Sequence, residues 1–261
     1  MATRLKEAME GIGKHKPLTR EEKKELARDQ VRRVLAYTTK LNEISETKSI
    51  SPQEFKKLFS MRFEQITGHP VNVDEQNMDV IGFLLLYFVG SDLIHRYKDV
   101  FTSQDNNQKL SLNKGIMLLG VPGSGKTSIL QALSYNQRNP FSVVSCVEIA
   151  SKFSKGGYEA VDQYLKINKN PSVRPFGNSE LGWMFDDLGY EKATKHYGDE
   201  SLIMEEILFS HSNNPESRGK IHVSSNLEAK EIRERYGSRI ASRINQMFNV
   251  IYYRSETDRR K

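Results

Sequence analysis

Apolar residues recur along this chain with two different periods, and the period changes near residue 114. In the first part the spacing is three or four. Leu26, Ala27, Val31, Val34 and Leu35 follow the capping box Thr19-Arg20-Glu21-Glu22, which predicts a helix from about Arg20 to Leu41. A second helix is expected over Pro52 to Ile66. Ser51 caps it, Pro52 takes its first position and Glu54 completes the box, while Phe55, Leu58, Phe59, Phe63 and Ile66 make one apolar stripe. That stripe reads as core. A third helix is expected over Asp74 to Val89, stopping at Gly90; its later half, IGFLLLYFV, is apolar on all sides and should be buried between the two parts of the chain. Residues 91–113 end in a polar connector.

From Lys114 onward, short apolar runs alternate with helical segments. Strands are expected at Ile116–Leu119, Phe141–Val147, Leu181–Phe185, Lys220–Asn226 and Asn249–Tyr253. Between them lie a helix from Glu148 to Tyr164 interrupted at Gly156-Gly157, a loop at 167–179, a helix over Ser201–Phe209 and another beginning near Glu228. This rhythm predicts an α/β fold with a parallel sheet covered by helices on both faces. A small helical N-terminal module, residues 1–110, would precede it, with residues 111–261 forming the sheet domain.

The 261 residues carry a net charge of +6, and residues 1–40 hold eleven Lys and Arg against six Asp and Glu. The excess therefore sits at the front, as a surface for DNA phosphates or an acidic partner, or as a solvated helix face. The single Cys146 excludes an internal disulfide and a cysteine metal site, and suits a reducing, cytoplasmic setting. No apolar stretch follows the basic start as in a signal peptide, and Ile81–Val89 is half of what a membrane span needs, so no membrane partner is expected.

The chemistry is concentrated in Gly120-Val121-Pro122-Gly123-Ser124-Gly125-Lys126-Thr127, which fits G-x-x-x-x-G-K-[ST] between a strand and a helix. Gly123 and Gly125 let backbone N–H groups face a phosphate, Lys126 supplies a point charge to the β- and γ-phosphates, and the Thr127 hydroxyl suits Mg²⁺. Ser128 and the helix start complete the expected ATP-binding set. The apolar strand Leu181–Phe185 ends in two acids: Asp186 would hold Mg²⁺ and Asp187 would polarise the attacking water. Asn226, ending the strand of Lys220–Ser225, would reach the γ-phosphate or that water, or cap the next helix, or both. Arg239 and Arg243 lie four apart and share a helix face, either as solvated side chains or as arginines reaching a neighbour's γ-phosphate.

The set GVPGSGKT, FDDLG, VSSN and RYGSRIASRI, in this order and spacing, resembles the AAA+ ATPases of the DnaC/DnaI helicase-loader and IstB transposition-helper group over residues 110–255. The resemblance implies an AAA+ P-loop core with little or no C-terminal lid, Asp186 and Asp187 as Walker B acids, and Asn226 as sensor 1. It further implies that Arg239, or failing it Arg243, is a finger acting on the next subunit, and that Asp258-Arg259 matches a late arginine. Implied partners are a replicative helicase held by the N-terminal module, single-stranded DNA and further copies of the chain. A transposase helper on duplex DNA and a non-hydrolysing nucleotide switch remain alternatives. Residues 1–110 resemble neither the IstB front region nor the cysteine-bearing DnaI module.

Overall fold

The computed structural model describes residues 21, 50–101, 109–169, 171–172, 174–196, 199–254 and 259. The chain forms two compact units, 1–46 and 47–261, and the second is described below. Apart from Glu21, the helix expected over 20–41 lies outside the described residues.

Two helices open the second unit. Helix α1 (Pro52–Thr67) carries the expected capping box between Ser51 and Glu54 and ends at the left-handed Gly68. Phe55, Leu58, Phe59 and Phe63 are buried along it. Helix α2 (Met78–Val89) begins four residues later than expected. The reason is local: Asp74 and Asn77 close a polar turn, with the Asp74 N–H donating to Asn77 Oδ1 at 2.9 Å and the Gln76 N–H donating to Asp74 Oδ1 at 3.0 Å. The unit that holds the sheet starts at residue 47, and α1 and α2 fall inside it.

The sheet has five parallel strands in the order β2-β3-β6-β1-β7: β1 (Gly115–Gly120), β2 (Phe141–Ser145), β3 (Gly182–Leu188), β6 (Ile221–Ser225) and β7 (Phe248–Tyr253). A small antiparallel hairpin, β4 (Thr194–His196) with β5 (Asp199–Ser201), stands apart from it and was not expected. Alternation along the strands serves two faces. Met117, Leu119, Phe185 and Val223 enter one core with α4 (Cys146–Gly156), α5 (Ile203–Asn213) and α6 (Ala229–Met247). On the other face α2 covers the sheet: Phe88 lies 5.6 Å from the Phe141 ring and 5.2 Å from His222. Helix α3 (Lys126–Leu133) packs against α1, and Arg62 Nε donates to the Ala132 carbonyl at 3.0 Å.

Three boundaries moved for identifiable reasons. Ser145 caps α4 through the Val147 N–H at 3.2 Å, so Cys146 and Val147 are helical rather than the end of a strand. Short 3-10 turns at Gly157–Ala160 and Asp162–Leu165 replace the rest of the expected helix to Tyr164. Ser201 closes β5, and α5 starts at Ile203. Trp183 is sheet core, with its indole N–H donating to the Lys166 carbonyl at 2.8 Å. Among the described residues no helix is long and apolar enough to cross a membrane.

Candidate active site

The carboxyl ends of β1, β3 and β6 form one rim, with β6 between the other two. In open α/β sheets such a rim is where ligands bind. From β1 the chain turns through Gly123 (φ +80°) and Gly125 (φ +89°), both in the left-handed region that favours glycine. Gly125 caps α3 with no side-chain hydrogen bond, which leaves the helix's N-terminus able to receive an anion. Val121 and Pro122 are exposed, Ser124 is buried with its hydroxyl on the Val121 carbonyl at 2.9 Å, and Ser128 is half-buried in the first turn.

Lys126 folds back into this loop and is nearly fully buried. Its ammonium donates to the carbonyls of Gly120 and Val121, each at 2.8 Å, and to Asn226 Oδ1 at 2.6 Å. Burial pushes the Lys126 pKa down to about 8, against the pull of Asp187 and Asp186. Asn226 therefore reaches the loop lysine from β6. It does not cap the next helix: Glu228 does so, in a capping box with Glu231.

The two acids sit on a bulge. β3 pairs Phe185 with Val223 and then Leu188 with Ser225, so β3 spends one more residue than β6 between the two pairs. Asp187 takes a positive φ of 56° there. The bulge brings Asp186 Oδ1 to 2.9 Å from the Thr127 hydroxyl, which donates to it. Ser224 stands opposite: its hydroxyl donates to Asp186 and accepts the Asp187 N–H at 3.0 Å. Burial, and then the neighbouring Asp186 charge, raise the Asp187 carboxyl above its ordinary pKa, while Lys126 opposes them. A hydroxyl beside a carboxylate is a hard-oxygen pair that fits Mg²⁺. Among the described residues no group of three or more His, Cys, Asp or Glu would hold a metal by itself, so phosphate and water oxygens would supply the remaining ligands.

Residues 116–175, which include the whole phosphate loop, match the family model described as ATPase family associated with various cellular activities (AAA). The matched stretch takes in the phosphate loop, β2 and α4 of a parallel α/β sheet, a P-loop arrangement. A search of curated protein sequences finds no match. Similar solved structures include one titled as the DnaC helicase loader, at 16% identity and TM-score 0.43, covering 76% of this chain and 99% of that one. Another is AMPPCP-bound DnaA from Aquifex aeolicus, at 17% identity and TM-score 0.45, covering 73% of this chain and 50% of that one.

Arg239 and Arg243 are not drawn into the cluster of Lys126, Asp186, Asp187 and Asn226. Both lie on α6. Arg239 is exposed and stacks over Phe209, 3.5 Å from the ring centroid, while the half-buried Arg243 donates to Gln246 Oε1 at 3.1 Å. Arg259, by contrast, is beside the loop: its N–H donates to the Gly123 carbonyl at 2.8 Å, and its guanidinium grips Asp74 at 2.7 and 2.9 Å. Next to these groups a cavity of about 190 Å³ is bounded by Phe63, Asp74, Ile81, Ile129, Tyr253 and Arg259. Sequence reasoning missed Ser224. The available signal was a pair of serines ending an otherwise apolar strand, where alternation points one of them at the neighbouring strand's acids.

Proposed function

We propose that this protein binds ATP with Mg²⁺ and hydrolyses it. The observation that carries this is convergence. Four side chains separated by up to a hundred residues in sequence meet in two contacts, Lys126 with Asn226 at 2.6 Å and Thr127 with Asp186 at 2.9 Å. On binding, the γ-phosphate takes over the Lys126 ammonium from the loop carbonyls, and the loop N–H groups and the α3 N-terminus hold the β-phosphate. The cavity beside Gly125 takes the nucleoside end. Thr127 and Asp186 would hold Mg²⁺, which when bound would supply neutralising charge for the phosphates. Asp187, its carboxyl made more basic by burial, polarises a water aligned with the γ-phosphorus. The water's oxygen bonds to phosphorus as the bond to the β-bridging oxygen breaks, its proton passes toward Asp187, and ADP and phosphate leave.

The same reading places this hydrolysis at an interface between copies, with Arg239 or Arg243 of one copy serving the nucleotide of the next. On α6 Arg239 is exposed and Arg243 half-buried, and neither is tied into the site of its own chain. From the motif set shared with the loader group, we infer a DNA-replication ATPase that loads a replicative helicase onto single-stranded DNA, with the N-terminal module holding the helicase. Affinity capture from native cells with ATP and with ADP tests this. Recovery of a helicase in the ATP arm, lost in Lys126→Ala, supports loading. Recovery of a transposase on duplex DNA would overturn it in favour of the transposition helper. Function that survives Asp187→Asn but not Lys126→Ala would reduce the chain to a switch.

A further inference from the structure

Glu191 is a carboxylate with 1% exposure, four residues after Asp187 and outside every role described above. Buried acids are held only when their oxygens are matched. Here Oε2 accepts the Gly189 N–H at 2.8 Å, Oε1 accepts the Tyr236 hydroxyl, and the Arg235 guanidinium lies beside it, Nε 3.8 Å from Oε1, while donating to the Glu191 carbonyl. One side chain thus joins two segments.

The first segment is the turn that follows the acids. Gly189 has φ +102°, and a Cβ there would come within 2.3 Å of Leu227 Cδ1, so the turn is closed against the end of β6. The Leu188 carbonyl accepts the Ser225 hydroxyl at 2.6 Å, which pins the same turn from the other side. Asp187 is therefore attached to a hydrogen-bonded turn whose far edge is Glu191. The second segment is α6 at its break. Tyr236 is buried, and Gly237 next to it leaves helical geometry at φ 77°, ψ 168°, a conformation open essentially to glycine alone. The helical stretch carrying Arg239 and Arg243 begins directly after that break, so the direction in which it leaves depends on where Tyr236 is held.

We propose that Glu191 is a positioning residue that ties, through Tyr236 and Arg235, the acid turn of one site to the arginine helix serving the neighbouring copy's site. The proposal rests on the interface-hydrolysis reading above and extends it. The acid turn and the arginines belong to two different sites, so a displacement of the turn when nucleotide changes is passed to the break in α6 through a buried, charged joint that cannot slip without stranding a carboxylate.

Tyr236→Phe removes the hydroxyl that Glu191 accepts and keeps the ring, and Glu191→Gln keeps the shape without the charge. Both should leave the Kd for a non-hydrolysable ATP analogue within about twofold while kcat of the assembled protein falls by about tenfold or more, the cost of a misplaced catalytic group. Mixing distinguishes positioning from damage. Subunits of Lys126→Ala have no working loop but carry undisturbed arginines; added to Tyr236→Phe, they should restore turnover to the Tyr236→Phe subunits' own sites. Absence of that rescue, or normal kcat in both variants alone, overturns the proposal. Arg239→Ala/Arg243→Ala mixed with Lys126→Ala is the control. Rescue there with none for Tyr236→Phe sinks only the role of Glu191, whereas no rescue in the control sinks the interface reading itself.

Discussion

The buried lysine of the phosphate loop makes nucleotide affinity depend on pH in a range where the nucleotide phosphates are already fully charged. Lys126 is pushed down to about 8 by burial, and a bound triphosphate, adding negative charge at the ammonium, must raise it again. Binding above that pH is therefore coupled to proton uptake. With a free-site value of about 8, roughly nine-tenths of the lysine is charged at pH 7 and about one-eleventh at pH 9, which is about 1.4 kcal/mol of lost affinity. The sign is definite: Kd is nearly flat below about pH 7.5 and weakens by up to about tenfold per unit above pH 8. Titration calorimetry with a non-hydrolysable ATP analogue, in two buffers of different ionisation heat, reads both the slope and a proton uptake approaching one at pH 9. Lys126→Arg keeps a charge that does not titrate in this range, so it should bind more weakly yet lose the slope. A wild-type Kd that ignores pH from 7 to 9, or an equal slope in Lys126→Arg, refutes the reasoning.

Three further outcomes are expected. Ser224→Ala strands the Asp187 N–H and removes a donor to Asp186; it should cost about 1–3 kcal/mol in urea denaturation and lower kcat with little change in Kd, and an unchanged kcat would count against the bulge geometry. Gly237→Ala meets no neighbouring atom, so any loss comes from the backbone; about 1–3 kcal/mol is expected by thermal unfolding, and a neutral substitution would mean that the break in α6 is not required. The third concerns acid. His211 and His222 are buried neutral, pushed by burial to about 4 and about 3 from an ordinary 6.5. The unfolded chain then takes up protons that the fold refuses, so stability is full above pH 6.5 and falls below it, by up to about 1.4 kcal/mol per pH unit for each histidine, until the folded values are reached. Urea midpoints at pH 7, 6 and 5 should decline in order and more gently in His211→Gln; a flat series contradicts this.

Much of the site was legible because its chemistry is local. The phosphate loop needs glycines where φ is positive, a lysine and a hydroxyl at fixed separations, and a helix starting at once. All of these are properties of consecutive residues. The acids were legible for a related reason, since an apolar run that stops at Asp-Asp marks the exit of a buried strand. Ser224 and Glu191 escaped. What each does depends on the strand or helix placed against it, and neither residue type announces that neighbour. Asn226 had two open roles, cap or phosphate contact, and local pattern supported both. Glu228 and Glu231 took the cap, which leaves Asn226 on the lysine.

The element types, the parallel-sheet class and the identity of the phosphate loop followed from the order of residues alone, because periodicity and turn chemistry act over a few positions at a time. Strand order, the one-residue bulge that turns Asp186 toward Thr127, the attachment of α1 and α2 to the sheet unit, and the burial of Glu191 against Tyr236 were decided only in three dimensions. Each depends on which surfaces, distant along the chain, exclude water from one another, and a register of that kind has no local signature.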